Sequence, residues 1–188
     1  MSKKKQQLIE IALNLFMNEG FHATGIDRIV EVSGISKTTL YRHFESKEIL
    51  IRDALLVFSQ RQQAGWQRDD YQLLSAEQLM LARFDELEAL VKSQHFSGCI
   101  FLNASGEYPD EDNFIHKVAI AHKVASLAET KRRLAFIEDA DIEGSHTNLA
   151  SIIELLYEGL VARLQVQQDL GLITTAKKAV AALLKAKE

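Results

Sequence analysis

Apolar residues recur along this chain with helical spacing almost from one end to the other. Leu8, Ala12, Leu15 and Phe16 fall at i, i+4, i+7 and i+8, on one face of a helix over about 3–19, and Gly20 follows as its stop. A short segment opened by Thr24 carries Ile26, Ile29 and Val30 until Gly34 interrupts it. Ser36 restarts the pattern as an N-cap ahead of Thr39, Leu40 and Phe44. Ser46 caps a fourth segment that runs to about Trp66, after which Asp69 and Asp70 mark a break.

The second half keeps the same period. Met80, Phe84, Leu87 and Val91 share a face over about 75–92, and a break follows at Ser97-Gly98. Cys99-Ile100-Phe101-Leu102 is the one stretch with strand character, and its helical surroundings assign it to a helix. After a turn at Glu107-Tyr108-Pro109-Asp110, a helix over about 110–137 directs Phe114, Val118, His122, Ala125 and Ala128 inward, and residues 139–144 form an acidic loop. From 145 to 170 the apolar residues Leu149, Ile152, Ile153, Leu155, Leu156, Tyr157, Leu160, Val161 and Leu164 cover well over half of the helix circumference. A single core does not bury that much, so a second surface, most simply another subunit, has to cover it. Gly171 then ends this helix and Thr174 caps a last one with Ala176, Ala179, Val180, Leu183 and Leu184. The pattern predicts an all-α protein of about nine helices.

Composition sharpens that picture. The 188 residues include one proline, where average usage would put about nine, so turn-rich β architectures are excluded. One cysteine rules out an internal disulfide and falls short of a thiolate-rich zinc site. Ser2-Lys3-Lys4-Lys5 leads into an amphipathic stretch rather than an apolar signal, and no apolar run reaches the roughly 18 residues of a membrane span. The expectation is a cytoplasmic protein that does not enter a membrane. His22, His43, His95, His116, His122 and His146 lack metal-binding spacing, there is no Gly-rich phosphate loop, and Cys99 with His95 or His116 matches no nucleophile motif. No enzyme activity, metal or cofactor is expected.

The formal net charge of −4 is spread unevenly: residues 1–60 carry eight Lys and Arg against seven Asp and Glu, so the acidity belongs to the remainder. Within that head, residues 24–47 read as a helix, a tight turn at Gly34 and a second helix. Ile29, Val30, Ile35, Leu40 and Phe44 supply a small core, which leaves Lys37, Thr38, Thr39, Tyr41, Arg42 and His43 facing outward. These are hydrogen-bond donors, with no acid before Glu45. Such a surface suits a recognition helix in the major groove, flanked by hydroxyl and cationic groups on phosphates. An ordinary solvated helical hairpin stays open on this chemistry alone.

The same residues carry a family resemblance. The amphipathic first helix, Thr24, the segment from Ile26 to Gly34, Ser36-Lys37-Thr38-Thr39-Leu40-Tyr41-Arg42-His43-Phe44 and Ser46-Lys47-Glu48 together resemble the DNA-binding domain of TetR-family transcriptional repressors. Two positions depart from the usual pattern: Gly25 stands where Ser or Thr is often found, and Thr38 where Gly or Pro is common. The resemblance implies a helix-turn-helix domain over 2–62, with the motif at about 25–44, and a ligand-binding and dimerisation domain over 63–188. It implies that Lys37, Thr38 and Arg42 face bases. It places Thr39, Tyr41, His43 and Lys47 on phosphates, with Arg28 on the supporting helix and Gly25 and Ser36 at the helix starts. Tyr41 has a competing reading as a packing residue.

Beyond residue 65 the resemblance is one of helical layout. It implies a homodimer through the two C-terminal helices, double-stranded DNA with a palindromic operator as partner, and a small-molecule effector that releases a repressor. Candidate effector contacts are Trp66, Phe84, Phe101, Asn103, His116, His122 and Tyr157, each with a competing role as plain core or hydrogen-bonded edge residue. The run from Gly98 to Ala104 followed by Glu107 is similar to a segment that flanks the pocket in a subset of the family. Cys99, at what looks like a helix start, invites a redox or electrophile-sensing repressor, against the plainer reading of a small buried apolar residue. An adaptor without DNA binding is the other alternative.

Overall fold

Several helix starts in the chain have a local chemical cause. A computed structural model describes residues 2–66, 74–135 and 145–185, and among them lie nine helices and no strand. Ser2 accepts the Lys5 N–H at 3.2 Å and opens α1 (Lys3–Glu19), whose face of Leu8, Ile9, Ala12, Leu13, Leu15 and Phe16 is buried. Next come α2 (Ile26–Ser33), α3 (Lys37–His43) and α4 (Lys47–Gly65), the last begun by Ser46 Oγ accepting from Ile49 N–H at 3.2 Å. Ser75 and Gln78 form a reciprocal capping box at the head of α5 (Ala76–Lys92). The remaining helices are α6 (Ile100–Glu107), α7 (Phe114–Leu134), α8 (Ser145–Val166) and α9 (Leu170–Lys185). No described helix is long and apolar enough to cross a membrane.

Four sequence expectations are corrected by the structure. Thr24 does not open α2: it is fully buried, its hydroxyl donates to the Gly20 carbonyl at 2.7 Å, and Gly25 is the N-cap. The helix expected from 110 begins at Phe114, because Asp110 and Asn113 close a turn in which the Asp112 and Ile115 N–H groups bond their side-chain oxygens. Phe114 and Ala128 on that helix are exposed, while Ile115, Val118, Ala119 and His122 are buried. Finally, α8 stops at Val166 and α9 starts at Leu170. Asp169 Oδ1 accepts the Gly171 N–H at 2.8 Å, so Gly171 lies in the first turn of α9 and Thr174 caps nothing. The expected helix end at 137, the acidic loop 139–144 and the break at Asp69-Asp70 lie outside the described residues.

The chain folds into two compact units that interleave along the sequence. One takes residues up to Ala64 together with Cys99–His122; the other takes Gly65–Gly98 and everything from Lys123 onward. The first unit is built on one apolar cluster that joins Leu8, Phe16, Phe21, Ile29, Leu40, Phe44, Leu50 and Leu55 to Ile100, Phe101 and Ile115. Full burial of a leucine or phenylalanine side chain here contributes about 1.5–3 kcal/mol. In the second unit α9 packs on both α5 and α8, and its interior includes a polar cluster. Arg83 donates to Thr130 Oγ1 at 3.1 Å and Ser126 Oγ at 3.2 Å and pairs with Glu154, which also accepts from Ser126 and Thr130. The Arg83 guanidinium lies 3.7 Å from the centre of the Tyr157 ring.

Candidate DNA-reading surface

Helix α3 is short, and its orientation depends on both of its ends and one anchor. Gly34 closes α2 in the left-handed region with φ 66°, its N–H bonded to the Val30 carbonyl; only glycine adopts this freely. Ser36 caps α3 by accepting the Thr39 N–H at 3.3 Å, and its hydroxyl also donates to Thr39 Oγ1 at 3.0 Å. Leu40 and Phe44 are buried completely or nearly so, which pins the inner face of the helix. Lys37, Thr38, Tyr41 and Arg42 lie on the opposite, outer face of the same two turns, and all four are exposed. Thr39 and His43 are half-buried at its flanks, with the His43 ring edge-on to Phe44.

Electrostatics divides the cations on this surface. Lys37 Nζ lies 2.8 Å from Asp27 on α2, and this carboxylate hydrogen bond raises the ammonium pKa. Arg28 is shared between Glu19 at 3.1 Å and Glu31 at 3.0 Å, which raises its pKa, Glu19 contributing most. Arg42 has no ion pair among the described residues and stands open to solvent. Tyr41 is 45% exposed, with its side chain at the surface of α3. Lys47, the first residue of α4, donates to the His22 carbonyl at 3.3 Å. Gly25 is exposed at the start of α2 and caps without a side-chain bond.

The predicted effector contacts fall in both compact units. In the first, the His122 ring stacks on Phe101 at 3.7 Å and its Nδ1 lies 2.9 Å from Ser59 Oγ; Asn103 is half-buried on α6, and His116 Nδ1 lies 2.7 Å from the Tyr108 carbonyl. In the second, Phe84 meets Tyr157 edge-on at 5.3 Å, burial pushes the Tyr157 phenol up, and Trp66 is half-buried. Cys99 is half-buried at the N-cap of α6, where its Sγ accepts the Leu102 N–H at 3.4 Å. Sequence reasoning missed Asp27, Glu19 and Glu31 as competitors for the head's cations, and it placed Glu107 beside the pocket without its bonds to Phe21 and His22. The Glu31 pair is legible in principle from its i,i+3 spacing to Arg28; the others join residues that only the fold brings together.

A short helix with donors exposed on its outer face and its inner face buried through Leu40 and Phe44 is the geometry of a helix-turn-helix reader. Residues 8–54 match the family model for bacterial regulatory proteins of the tetR family. The chain is 30% identical over 179 residues to the HTH-type transcriptional regulator YjdC of Escherichia coli (strain K12), covering 93% of this chain and 90% of that one. It is also similar to the crystal structure of a TetR-family transcriptional regulator from Streptomyces coelicolor, with a TM-score of 0.83 and 26% identity over 97% of this chain and 95% of the other. The reduced form of NemR from Escherichia coli shares the fold at a TM-score of 0.80 and 18% identity, with 95% of each chain covered. The chain belongs to the TetR family: it is a DNA-binding helix-turn-helix transcriptional regulator.

Proposed function

We propose that this regulator is a cytoplasmic repressor, without enzymatic activity, that binds a palindromic operator as a homodimer and is released by a small molecule. The observation that carries the reading is the α3 surface, where Lys37, Thr38 and Arg42 stand exposed on a helix anchored by Leu40. In this reading Lys37, Thr38 and Arg42 meet base edges, and Arg28, Thr39, Tyr41, His43 and Lys47 hold phosphates. Residues 2–62 act as the reading head and 63–188 serve ligand binding and dimerisation. The dimer is supported by α8, on which Ile152 and Leu155 remain 43% and 72% exposed. An unpartnered apolar face of this kind favours a subunit contact. A palindromic operator read by two copies of α3 requires them about 34 Å apart, one turn of DNA.

Effector binding is assigned to the surroundings of Phe101, Asn103, His116 and His122 and of Trp66, Phe84 and Tyr157, with reciprocal coupling between effector and operator. The test is a mobility-shift titration of the DNA flanking its own gene at several salt concentrations. A specific shift with a steep negative salt slope supports the reading; equal binding to all sequences sinks the operator assignment. Arg42→Ala is expected to cost about 1–3 kcal/mol of operator binding and to relax sequence preference, whereas uniform weakening would move Arg42 to the phosphate contacts. A thermal-stabilisation screen identifies the effector, which then has to weaken the DNA complex. A compound that tightens it would overturn release.

A further inference from the structure

The joint between α1 and α2 is held from a remote part of the chain. Glu107, the last residue of α6, accepts the N–H of Phe21 at 2.9 Å and of His22 at 2.6 Å, and its Oε2 stands 2.7 Å from His22 Nδ1. Lying between two helices, these N–H groups lack a helical acceptor, and Glu107 supplies one. The next residue, Tyr108, stacks on the His22 ring at 5.0 Å and meets Phe21 edge-on at 6.4 Å. Burial pushes the Glu107 carboxyl up, but the two N–H bonds and the His22 ring outweigh it and hold the group below the ordinary carboxylate range. Gly20 gives the carboxylate room: its φ is 85°, and a Cβ there would lie 3.3 Å from Glu107 Oε1.

This joint leads straight into the helix-turn-helix. The buried Thr24 hydroxyl is bonded to the Gly20 carbonyl, Gly25 starts α2, and the His22 carbonyl accepts from Lys47 at the start of α4. Residues 20–24 are therefore fixed at two N–H groups by α6 and at one carbonyl by α4. We propose that Glu107 is a positioning residue for DNA binding, which clamps the α1–α2 joint so that α2, α3 and Lys47 present one fixed surface to DNA. The clamp lies outside the 8–54 segment that defines the reader, and the inference rests on the DNA-binding reading above.

Full-length wild type, Glu107→Ala and Glu107→Gln are compared by titration on a labelled duplex of the DNA flanking its own gene, and by amide hydrogen exchange of the free proteins. Glu107→Ala is expected to raise Kd at least about tenfold, the range of losing charged hydrogen bonds. Phe21 and His22 amides should lose protection while Leu50 and Leu55 amides on α4 keep theirs, and the salt slope should be unchanged. Glu107→Gln keeps a carbonyl acceptor and should fall between the two. Unchanged affinity in Glu107→Ala overturns the proposal, as does a loss of affinity accompanied by equal loss of protection at Leu50 and Leu55, which marks a purely structural role. If wild type fails to bind the duplex while the exchange pattern appears as expected, the operator reading fails and the clamp stands.

Discussion

In the unit that holds α3, Lys37 and Arg28 stand at the surface paired with Asp27, Glu19 and Glu31, and the interior beneath them is apolar. In the other unit, Arg83 is set among Glu154, Ser126, Thr130 and the Tyr157 ring, and Arg133 is buried with its guanidinium on Glu129 and the Leu79 carbonyl. The difference follows from what each charge has to do. A surface pair in water contributes little to stability and exchanges its acid for a phosphate at small cost. A buried guanidinium has lost its water, so its protein partners become obligatory. Lys37 and Arg28 thus stand in exchangeable surface pairs, while Arg83 and Arg133 are committed to the fold.

The sharpest way to break this comparison is Arg83→Met, which leaves Glu154 buried without its cationic partner and should cost about 3–5 kcal/mol by chemical denaturation. Replacing both residues, Arg83→Met with Glu154→Leu, should recover most of that loss; if the single change is harmless, the cluster is not a committed ion pair. Within the head, Leu40→Ala should cost about 2–5 kcal/mol and abolish DNA binding through loss of the α3 anchor, because the residue is fully buried. Acid sharpens the contrast next. Glu10 is held down first by Arg61, while in Asp53 and Glu107 the upward push of burial is outweighed by Arg52 and Lys5 and by the Phe21 and His22 groups. Their folded pKa values are depressed, so their stabilisation is complete above the ordinary carboxylate value of about 4 and disappears as pH falls through the lower folded values. Stability should therefore fall as pH drops below about 4, and by less in Glu107→Gln. The smallest effect is expected from Asp27→Asn, which releases Lys37: DNA affinity should rise by a few fold at low salt, with thermal stability unchanged. Unaltered affinity would show that the exposed pair does not compete with DNA.

How much of this was legible in the sequence depends on the range of the interaction. The Ser36 cap, the Gly34 turn and the Leu40 and Phe44 anchors act within a few residues, and their spacing alone predicts α3 and its outward donors. Gly171 was legible wrongly: glycine stops a helix only where no cap restarts it, and Asp169 restarts one. Phe114 shares the face of the buried Val118 and His122, but it is the first residue of α7, beside the Asp110 and Asn113 turn, and it stays exposed. Residues 99–122 join the first compact unit although they follow α5 in the chain, and periodicity carries no information on which core a helix face enters.

The sequence by itself determined the helical architecture, the reading helix and its family, because caps, apolar period and donor placement are local properties of consecutive residues. Only the tertiary structure decided which acids occupy Lys37 and Arg28, that Arg83 meets Glu154, and that Glu107 grips Phe21 and His22 from 86 and 85 residues away. Those pairings are set by the distance between side chains in the folded core, a quantity that separation along the chain does not contain.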